Sequence, residues 1–381
     1  MKNFKVIIII LVGIVLSFNL YTKIESKKSK REENLIVSND SNKNIVTIAD
    51  IKAEISKNYD EEHEKKIKEK WDQLEVRNEK IWIEYSNSYD RKTKVDFEKK
   101  EICVELLLDE NTNPQGIAKS LTDSIYTILL RTTNEASDSV NPDKYGVVEA
   151  PQVDYIVGDI FDIRSKDEAH YRSRKIFSNS KVSSRKAKDK NKIIVKALFS
   201  FPKDGISKKA KKYHSTMIKH AKKNNLPTQL IYAITKVESH FNPMAKSHVP
   251  AYGLMQIVPR TSGKDITKKL EGKERLLSPR ELYNGYKNIE YGSVYLGLLY
   301  HSYLRHIEDE NSRIYCTIAA YNTGIGHVAQ TFTGSYGIKS ASVIINKMSS
   351  EEVYNKLIND LPYVETRYYL KRTRGFLYEF E

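Results

Sequence analysis

The sequence predicts an α+β domain followed by a mainly α domain, and two observations carry that division. Between residues 81 and 106 apolar side chains alternate with polar ones, the period of half-buried strands. From Gly205 to the end they recur every three to four residues, the period of helices. Inside the first block Asn113-Pro114 opens a helical stretch, so that block is mixed rather than all-β. The chain has 381 residues, enough for two full cores, and an apolar fraction of 40%, which excludes disorder throughout.

Residues 1–23 have the layout of an export signal, cleaved or retained as an anchor. Lys2 and Lys5 precede an apolar run over 6–16 that continues through Phe18, Leu20 and Tyr21 to Lys23. The stretch between Lys5 and Lys23 is about 17 residues, the lower limit for crossing a bilayer. No small-x-small cleavage site precedes the charges, so a membrane contact through this apolar segment is favoured over a cleaved signal. No cysteine follows the run to carry a lipid. Positive charge on the short N-terminal side places the rest of the chain across the membrane.

Residues 24–45 are polar and charged, a flexible stalk. The α+β domain spans 46–200. It begins with a charged helical stretch over 51–75, whose apolar face is thin: Ile55, Ile67, Trp71 and Leu74. Alternation follows. Ile81, Ile83 and Tyr85 point one way and Trp82 and Glu84 the other, then Val95 and Phe97, then Ile102, Val104 and Leu106, with 98–101 as a hairpin connection. After Asn113-Pro114, Ile117, Leu121, Ile125 and Leu129 recur at helical spacing. The basic, serine-rich tract 165–191 reads as a linker or exposed loop leading into a last strand over 193–201. The second domain, 205–381, has helices predicted at 207–224, 227–240, 289–308 and 313–320, with a helical tail from Tyr363.

Composition narrows the partners. The net charge of +14 points toward anionic ones: nucleic acid, acidic lipid or a polyanionic cell-wall polymer. Nucleic acid is not expected, because the basic residues are scattered and no recognised module accompanies them. Runs such as Lys208-Lys209 and Lys211-Lys212 read as a solvated helix face. Cys103 and Cys316 each sit among apolar neighbours and read as buried thiols, and their spacing gives no argument for a disulfide. With no cysteine-histidine cluster and no glycine-rich phosphate loop, neither a metal nor a cofactor is expected.

The candidate chemistry lies in the second domain. Pro227 suits a first helical turn, Leu230, Ala233, Ile234 and Val237 form an inward stripe, and Asn242-Pro243 ends the helix. Glu238 therefore falls in the last turn. There the helix dipole disfavours its charge and raises its pKa, as burial would. Taken alone, the segment fits a solvated helix-end glutamate more readily than a catalyst. The next block, Gly253-Leu-Met-Gln-Ile257, shifts that balance: Gly253 admits a close backbone or sugar, Leu254 and Met255 offer apolar surface, and Gln256 sets an amide among apolar neighbours. Farther on, Tyr321 and Asn322 close an apolar helix just before Gly324, and Glu365-Thr-Arg367 with Tyr369 opens the final helix.

Taken together, Glu238-Ser239 with Phe241-Asn242-Pro243, then Gly253 to Ile257, then Ala320-Tyr-Asn322 with Gly324, and Glu365-Thr-Arg367 with Tyr369 resemble the four ordered motifs of the lytic transglycosylases with a lysozyme-like helical domain. The resemblance covers 205–381. Ser247-His-Val-Pro-Ala-Tyr252 and, more softly, Tyr85-Ser-Asn-Ser-Tyr89 with Thr93 to Phe97 are similar to the family's membrane-bound lytic murein transglycosylase C branch.

That resemblance implies cleavage of the β-1,4 bond between N-acetylmuramic acid and N-acetylglucosamine in peptidoglycan strands, leaving a 1,6-anhydro end. It also implies a home on the periplasmic side of a cell envelope. Glu238 would act as the single acid and then base, with the substrate acetamido group in place of a second carboxylate. Ser239 and Tyr369 would orient Glu238 or the acetamido group. Gly253, Leu254, Met255 and Gln256 would line the sugar subsites, and Tyr321 and Asn322 would complete the cleft. Glu365 reads as structural support for a helix start. Cell-wall protein partners are not specified. A lysozyme-type hydrolase and a non-catalytic cell-wall binding protein stay open as other readings, the second opposed by intact Glu238, Gln256 and Tyr369.

Overall fold

The structure is a computed structural model that describes residues 61–138 and 154–379. The expected signal or anchor at 1–23, the stalk at 24–45 and the first part of the charged helical stretch lie outside the described residues. The expected membrane contact is corrected: among the described residues no helix is long and apolar enough to cross a bilayer, so nothing described provides one. The physical reason is compositional. Each described helix carries a charged or polar face, because it is half of a packed protein core rather than a lipid-facing rod.

Residues 61–70 are helical. A five-stranded antiparallel sheet then forms from β1 (Ile81–Tyr85), β2 (Arg91–Asp96), β3 (Glu101–Asp109), β4 (Lys181–Lys186) and β5 (Lys192–Ser200), ordered β1-β2-β3-β5-β4. Period-two alternation sets its faces. Trp82, Val95, Ile102, Val104, Ala197 and Phe199 meet Leu121, Ile125 and Leu129 of helix α1 (Pro114–Leu130) in one core. In a second cluster Leu107 and Ile194 pack with Ile67 and Trp71. Helix α1 starts where predicted, because the Asn113 side chain accepts a hydrogen bond from the Gly116 N–H and Pro114 occupies the first turn. A short helix α2 (Thr133–Asp138) follows.

The tract 165–191 is not a linker. It folds into helix α3 (Lys166–Ser178) and strand β4. Its apolar content is too low to signal either: α3 buries only Ala169 and Ser173, and β4 is exposed along its length and held by backbone pairing to β5. The Ser165 side chain caps α3 by accepting from the Glu168 N–H.

The remaining helices are α4 (Gly205–Lys223), α5 (Thr228–Ser239), α6 (Ser262–Glu271), α7 (Pro279–Tyr283), α8 (Gly285–Leu298), α9 (Glu310–Thr323), α10 (Ile325–Thr333), α11 (Ile338–Ile345), α12 (Ser350–Asp360) and α13 (Val364–Leu377). The predicted 289–308 helix is α8 continued by a π-helical turn, Leu299–Tyr303. Their shared core includes Ile234, Phe241, Leu254, Met255, Ile318, Ala319 and Leu370. Cys103 is half-buried and Cys316 buried, and both are free thiols.

Sheet and helices belong to one compact unit, Glu64–Glu381. Lys209 of α4 is fully buried and lies 3.0 Å from Asp159, Lys212 lies 2.8 Å from Asp159 and 3.0 Å from Asp154, and the Tyr213 hydroxyl donates to Asp154 at 2.8 Å. Burial opposes ionisation of Asp159, but the two lysines outweigh it and hold its carboxyl below the ordinary value. Two of the predicted solvated lysines, Lys209 and Lys212, are thus the clamp between the sheet half and the helical half.

Candidate active site

Helix α5 presents Glu238. Leu230, Ala233, Ile234 and Val237 are buried as its inward stripe, and the chain turns sharply after Ser239. His240 and Phe241 both take positive φ, 51° and 63°. Such conformations are unfavourable for side chains of this kind. Here the turn is held by the fully buried Phe241 ring, which packs on Tyr232 at 5.4 Å, and by Asn242, whose Nδ2 donates to the Glu79 carbonyl at 3.0 Å. The turn leaves Glu238 at the mouth of the helix end, partly open at its surface while protein crowds its carboxyl.

Residues 253–257 form a tight loop against that helix end, and its backbone is tied down almost atom by atom. Tyr252 and Ile257 exchange backbone hydrogen bonds of 3.0 and 3.1 Å, and the Gly253 N–H donates to Ala245 at 2.9 Å. Ser239 Oγ donates to the Leu254 carbonyl at 2.8 Å, and the Tyr321 hydroxyl donates to the Met255 carbonyl at 2.7 Å. The buried Asn288 side chain accepts from the Met255 N–H at 2.7 Å and donates to the Tyr252 and Leu282 carbonyls, both at 2.8 Å. Gly253 has φ 76°, and a Cβ there would lie 2.1 Å from the Leu282 carbonyl oxygen, so the close approach is to backbone.

The last helix closes the site. Tyr369 is buried and its hydroxyl donates to Glu238 Oε1 at 2.7 Å, while Thr366 Oγ1 donates to Asn322 Oδ1 at 2.7 Å. Burial lifts the Glu238 carboxyl from 4.5 to about 8; the Tyr369 hydroxyl opposes that rise, Glu79 and Glu365 add to it, and Arg372 opposes it. Burial also pushes the Tyr369 and Tyr321 hydroxyls well above their ordinary values, with Glu238 adding to both. Both tyrosines therefore remain hydrogen donors. What results is a carboxyl that is protonated at neutral pH, with a fixed donor on one oxygen.

Several expected roles change. Ser239 is fully buried and donates to the Leu254 carbonyl and, at 3.1 Å, to the Thr235 carbonyl, so it fastens α5 to the loop. Leu254 and Met255 have fully buried side chains, and Met255 packs against Gly292, where an added Cβ would meet its sulfur at 2.3 Å. They back the loop instead of presenting apolar surface to a sugar. Gln256 donates through Nε2 to the Gly253 carbonyl at 2.9 Å, and its Oε1 is buried without a hydrogen-bond partner. A buried amide oxygen without a partner is uncommon in a folded protein. Asn322 is exposed, and Glu365 is exposed in the first turn of α13. Among the described residues no group of three or more His, Cys, Asp or Glu is placed to hold a metal ion.

The family described as "Transglycosylase SLT domain" matches residues 215–344, and "Membrane-bound lytic murein transglycosylase C, N-terminal domain" matches 47–201. The membrane-bound lytic murein transglycosylase C of Mannheimia succiniciproducens is 30% identical over 305 residues, 78% of this chain and 81% of the relative. The chain belongs to the SLT-type lytic transglycosylases. Another member, the membrane-bound lytic murein transglycosylase C of Actinobacillus pleuropneumoniae serotype 5b, is 29% identical over 91% of this chain and 90% of its own length. Among solved structures, the lytic transglycosylase Slt of Pseudomonas aeruginosa is 28% identical with a TM-score of 0.33, covering 43% of this chain and 23% of its own.

Within this lytic transglycosylase, sequence reasoning missed Asn288 and Tyr295. Asn288 is one of many polar residues in a helix, with no local mark of the three bonds it makes. Tyr295, whose ring packs on Tyr321 at 5.6 Å, is likewise unmarked. Thr366 stood inside a quoted motif, but its partner Asn322 is 44 residues away.

Proposed function

We propose that this lytic transglycosylase cuts the β-1,4 bond between N-acetylmuramic acid and N-acetylglucosamine in peptidoglycan and closes a 1,6-anhydro ring, with Glu238 as its single acid and base. The coarser activity, lytic transglycosylase action on peptidoglycan, follows from family membership. One observation carries the finer reading: a buried carboxyl lifted to about 8, partly open at the surface and held by the Tyr369 hydroxyl at 2.7 Å.

A group with that proton affinity gives its proton to the glycosidic oxygen near neutral pH and, once ionised, is basic enough to take one back. Tyr369 supports the ionised stage, because its hydrogen bond is stronger to a carboxylate than to a neutral acid. As carboxylate, Glu238 removes the proton of the muramic C6 hydroxyl, whose oxygen closes on C1. The substrate acetamido group stabilises C1 meanwhile, in place of the second carboxylate that two-carboxylate glycosidases hold about 5 to 9.5 Å away. Gln256 and Asn322 belong to the sugar-binding part of this reading through the family motifs they match. The substrate places the protein on the periplasmic side of the cell envelope.

Mass spectrometry of digested sacculi tests this directly. Anhydro-muramic ends from the wild type, and none from Glu238→Gln, are expected. Reducing ends alone would assign a hydrolase, and full glycan cleavage by Glu238→Gln would remove the catalytic assignment.

A further inference from the structure

One charged residue of the sheet half acts on the candidate acid and has no part in the mechanism. Glu79 lies two residues before β1, in a turn pinned on both sides. The Asn78 side chain accepts from the Lys80 and Ile81 N–H groups at 2.9 and 2.8 Å, the Asn78 N–H donates to the Ile81 carbonyl at 2.9 Å, and the Phe97 N–H donates to the Lys80 carbonyl at 2.9 Å. These bonds fix the backbone at Glu79. Its own carbonyl accepts from Asn242 Nδ2 at 3.0 Å, and Asn242 is fully buried just beyond the end of the acid's helix. Asn242 Oδ1 accepts in turn from the N–H of Met244 at 3.0 Å, and the Met244 side chain is buried in the core of the sheet half with Trp82, Val95 and Phe97. The turn that follows Glu238 is therefore fastened to the segment that carries Glu79.

The Glu79 carboxylate makes no ion pair among the described residues. Its neighbour Lys80 is taken by Glu98 at 2.6 Å, so the charge at position 79 stays uncompensated. Burial is the main reason that Glu238 holds its proton, and the Tyr369 hydroxyl opposes it. Of the charged groups that face Glu238, Glu79 acts most strongly, ahead of Glu365, which adds to its effect, and Arg372, which opposes it. Tyr369 and Tyr321 face it as neutral hydroxyls. A fixed negative charge near a buried carboxyl disfavours its ionisation. Holding the turn needs only the carbonyl of residue 79, which any side chain would leave in place; the charge is an addition.

We propose that Glu79 is a positioning residue for the lytic reaction: its carbonyl fixes the turn behind Glu238, and its carboxylate keeps the proton on Glu238 until the glycosidic oxygen takes it. The inference rests on the acid and base reading of Glu238 above. The same charge serves the return step. Once the proton has passed to the leaving oxygen, Glu238 is a second carboxylate facing Glu79, and the repulsion between them favours recovery of a proton from the C6 hydroxyl. The sheet half thus acts on the chemistry through Glu238.

Glu79→Gln in the full chain keeps the carbonyl and loses the charge. It should move the alkaline limb of the kcat/KM profile on sacculi down by about half a pH unit, a loss of about threefold above the limb, with the thermal midpoint at pH 5 unchanged. Glu79→Asp should return the limb most of the way, and Glu79→Lys should move it farther down. A limb that stays put in both the Gln and Lys variants overturns the proposal. So does loss of cleavage at every pH, which would make Glu79 a reacting carboxylate. A second readout needs no turnover: urea unfolding between pH 6 and 9, with and without Glu238→Gln in each background, gives the pH at which folded Glu238 releases its proton. That pH should fall in Glu79→Gln by the same amount as the limb, and an unchanged value overturns the proposal. Should the wild type release no anhydro ends while this pH still falls, the action of Glu79 on Glu238 stands and the catalytic reading goes. Anhydro ends from the wild type, with no movement in either readout, would keep the catalytic reading and overturn the role of Glu79.

Discussion

Replacing Glu238 by Gln should make the folded protein more stable near neutral pH, by an amount that grows with pH. Its carboxyl titrates at about 8 in the folded state against 4.5 for an ordinary carboxyl, mainly because burial disfavours the charge. Between those values the folded protein holds a proton that the unfolded chain has released. Stability is therefore complete below pH 4.5 and declines as pH rises toward 8. One pH unit inside that window is worth about 1.4 kcal/mol, so the wild type loses on the order of 2 to 3 kcal/mol between pH 5 and 7. Gln at this position has no proton to hold and escapes that loss. Urea unfolding of both proteins at pH 5, 6 and 7 measures the difference. It should widen in favour of Gln as pH rises. A difference that is constant with pH, or that widens in favour of the wild type, would refute a buried, proton-holding Glu238.

Other perturbations separate chemistry from scaffold. Tyr369→Phe removes the donor on Glu238 Oε1, so the alkaline limb of the kcat/KM profile should move upward by about one pH unit, the size of a hydrogen bond to a charged group; a limb that stays put or moves down would show that the bond is not made in solution. Ser239→Ala should lower stability by about 1 to 2 kcal/mol, with the alkaline limb unmoved, because the lost bond is to the buried Leu254 carbonyl. Gly253→Ala faces both a φ of 76° and a contact of 2.1 Å with the Leu282 carbonyl, so a loss of at least about 2 kcal/mol and of most activity is expected from denaturant titration and turnover.

The sheet and the caps were legible in the sequence because they are local. Alternation over 81–106 reports one buried face, and Asn113-Pro114 carries its own capping acceptor and ring. The tract 165–191 was misread because β4 is an edge strand held by backbone bonds to β5, and backbone bonding leaves no apolar pattern. Lys209 was misread for a related reason: its partners Asp154 and Asp159 lie 50 or more residues away in the chain.

The site shows the same division. By itself the sequence determined which residues are chemically equipped: an acidic side chain at a helix end, a glycine-bearing loop, and two late tyrosines. Only the tertiary structure decided what each one does. The bond from Tyr369 to Glu238 spans 131 residues, and Ser239 and Tyr321 turned out to hold the loop's backbone. The reason is that proton affinity and hydrogen-bond partnership are properties of surroundings. A glutamate at a helix end is ordinary in water, and it becomes an acid near neutral pH only when distant helices close over it and leave one tyrosine hydroxyl on its oxygen.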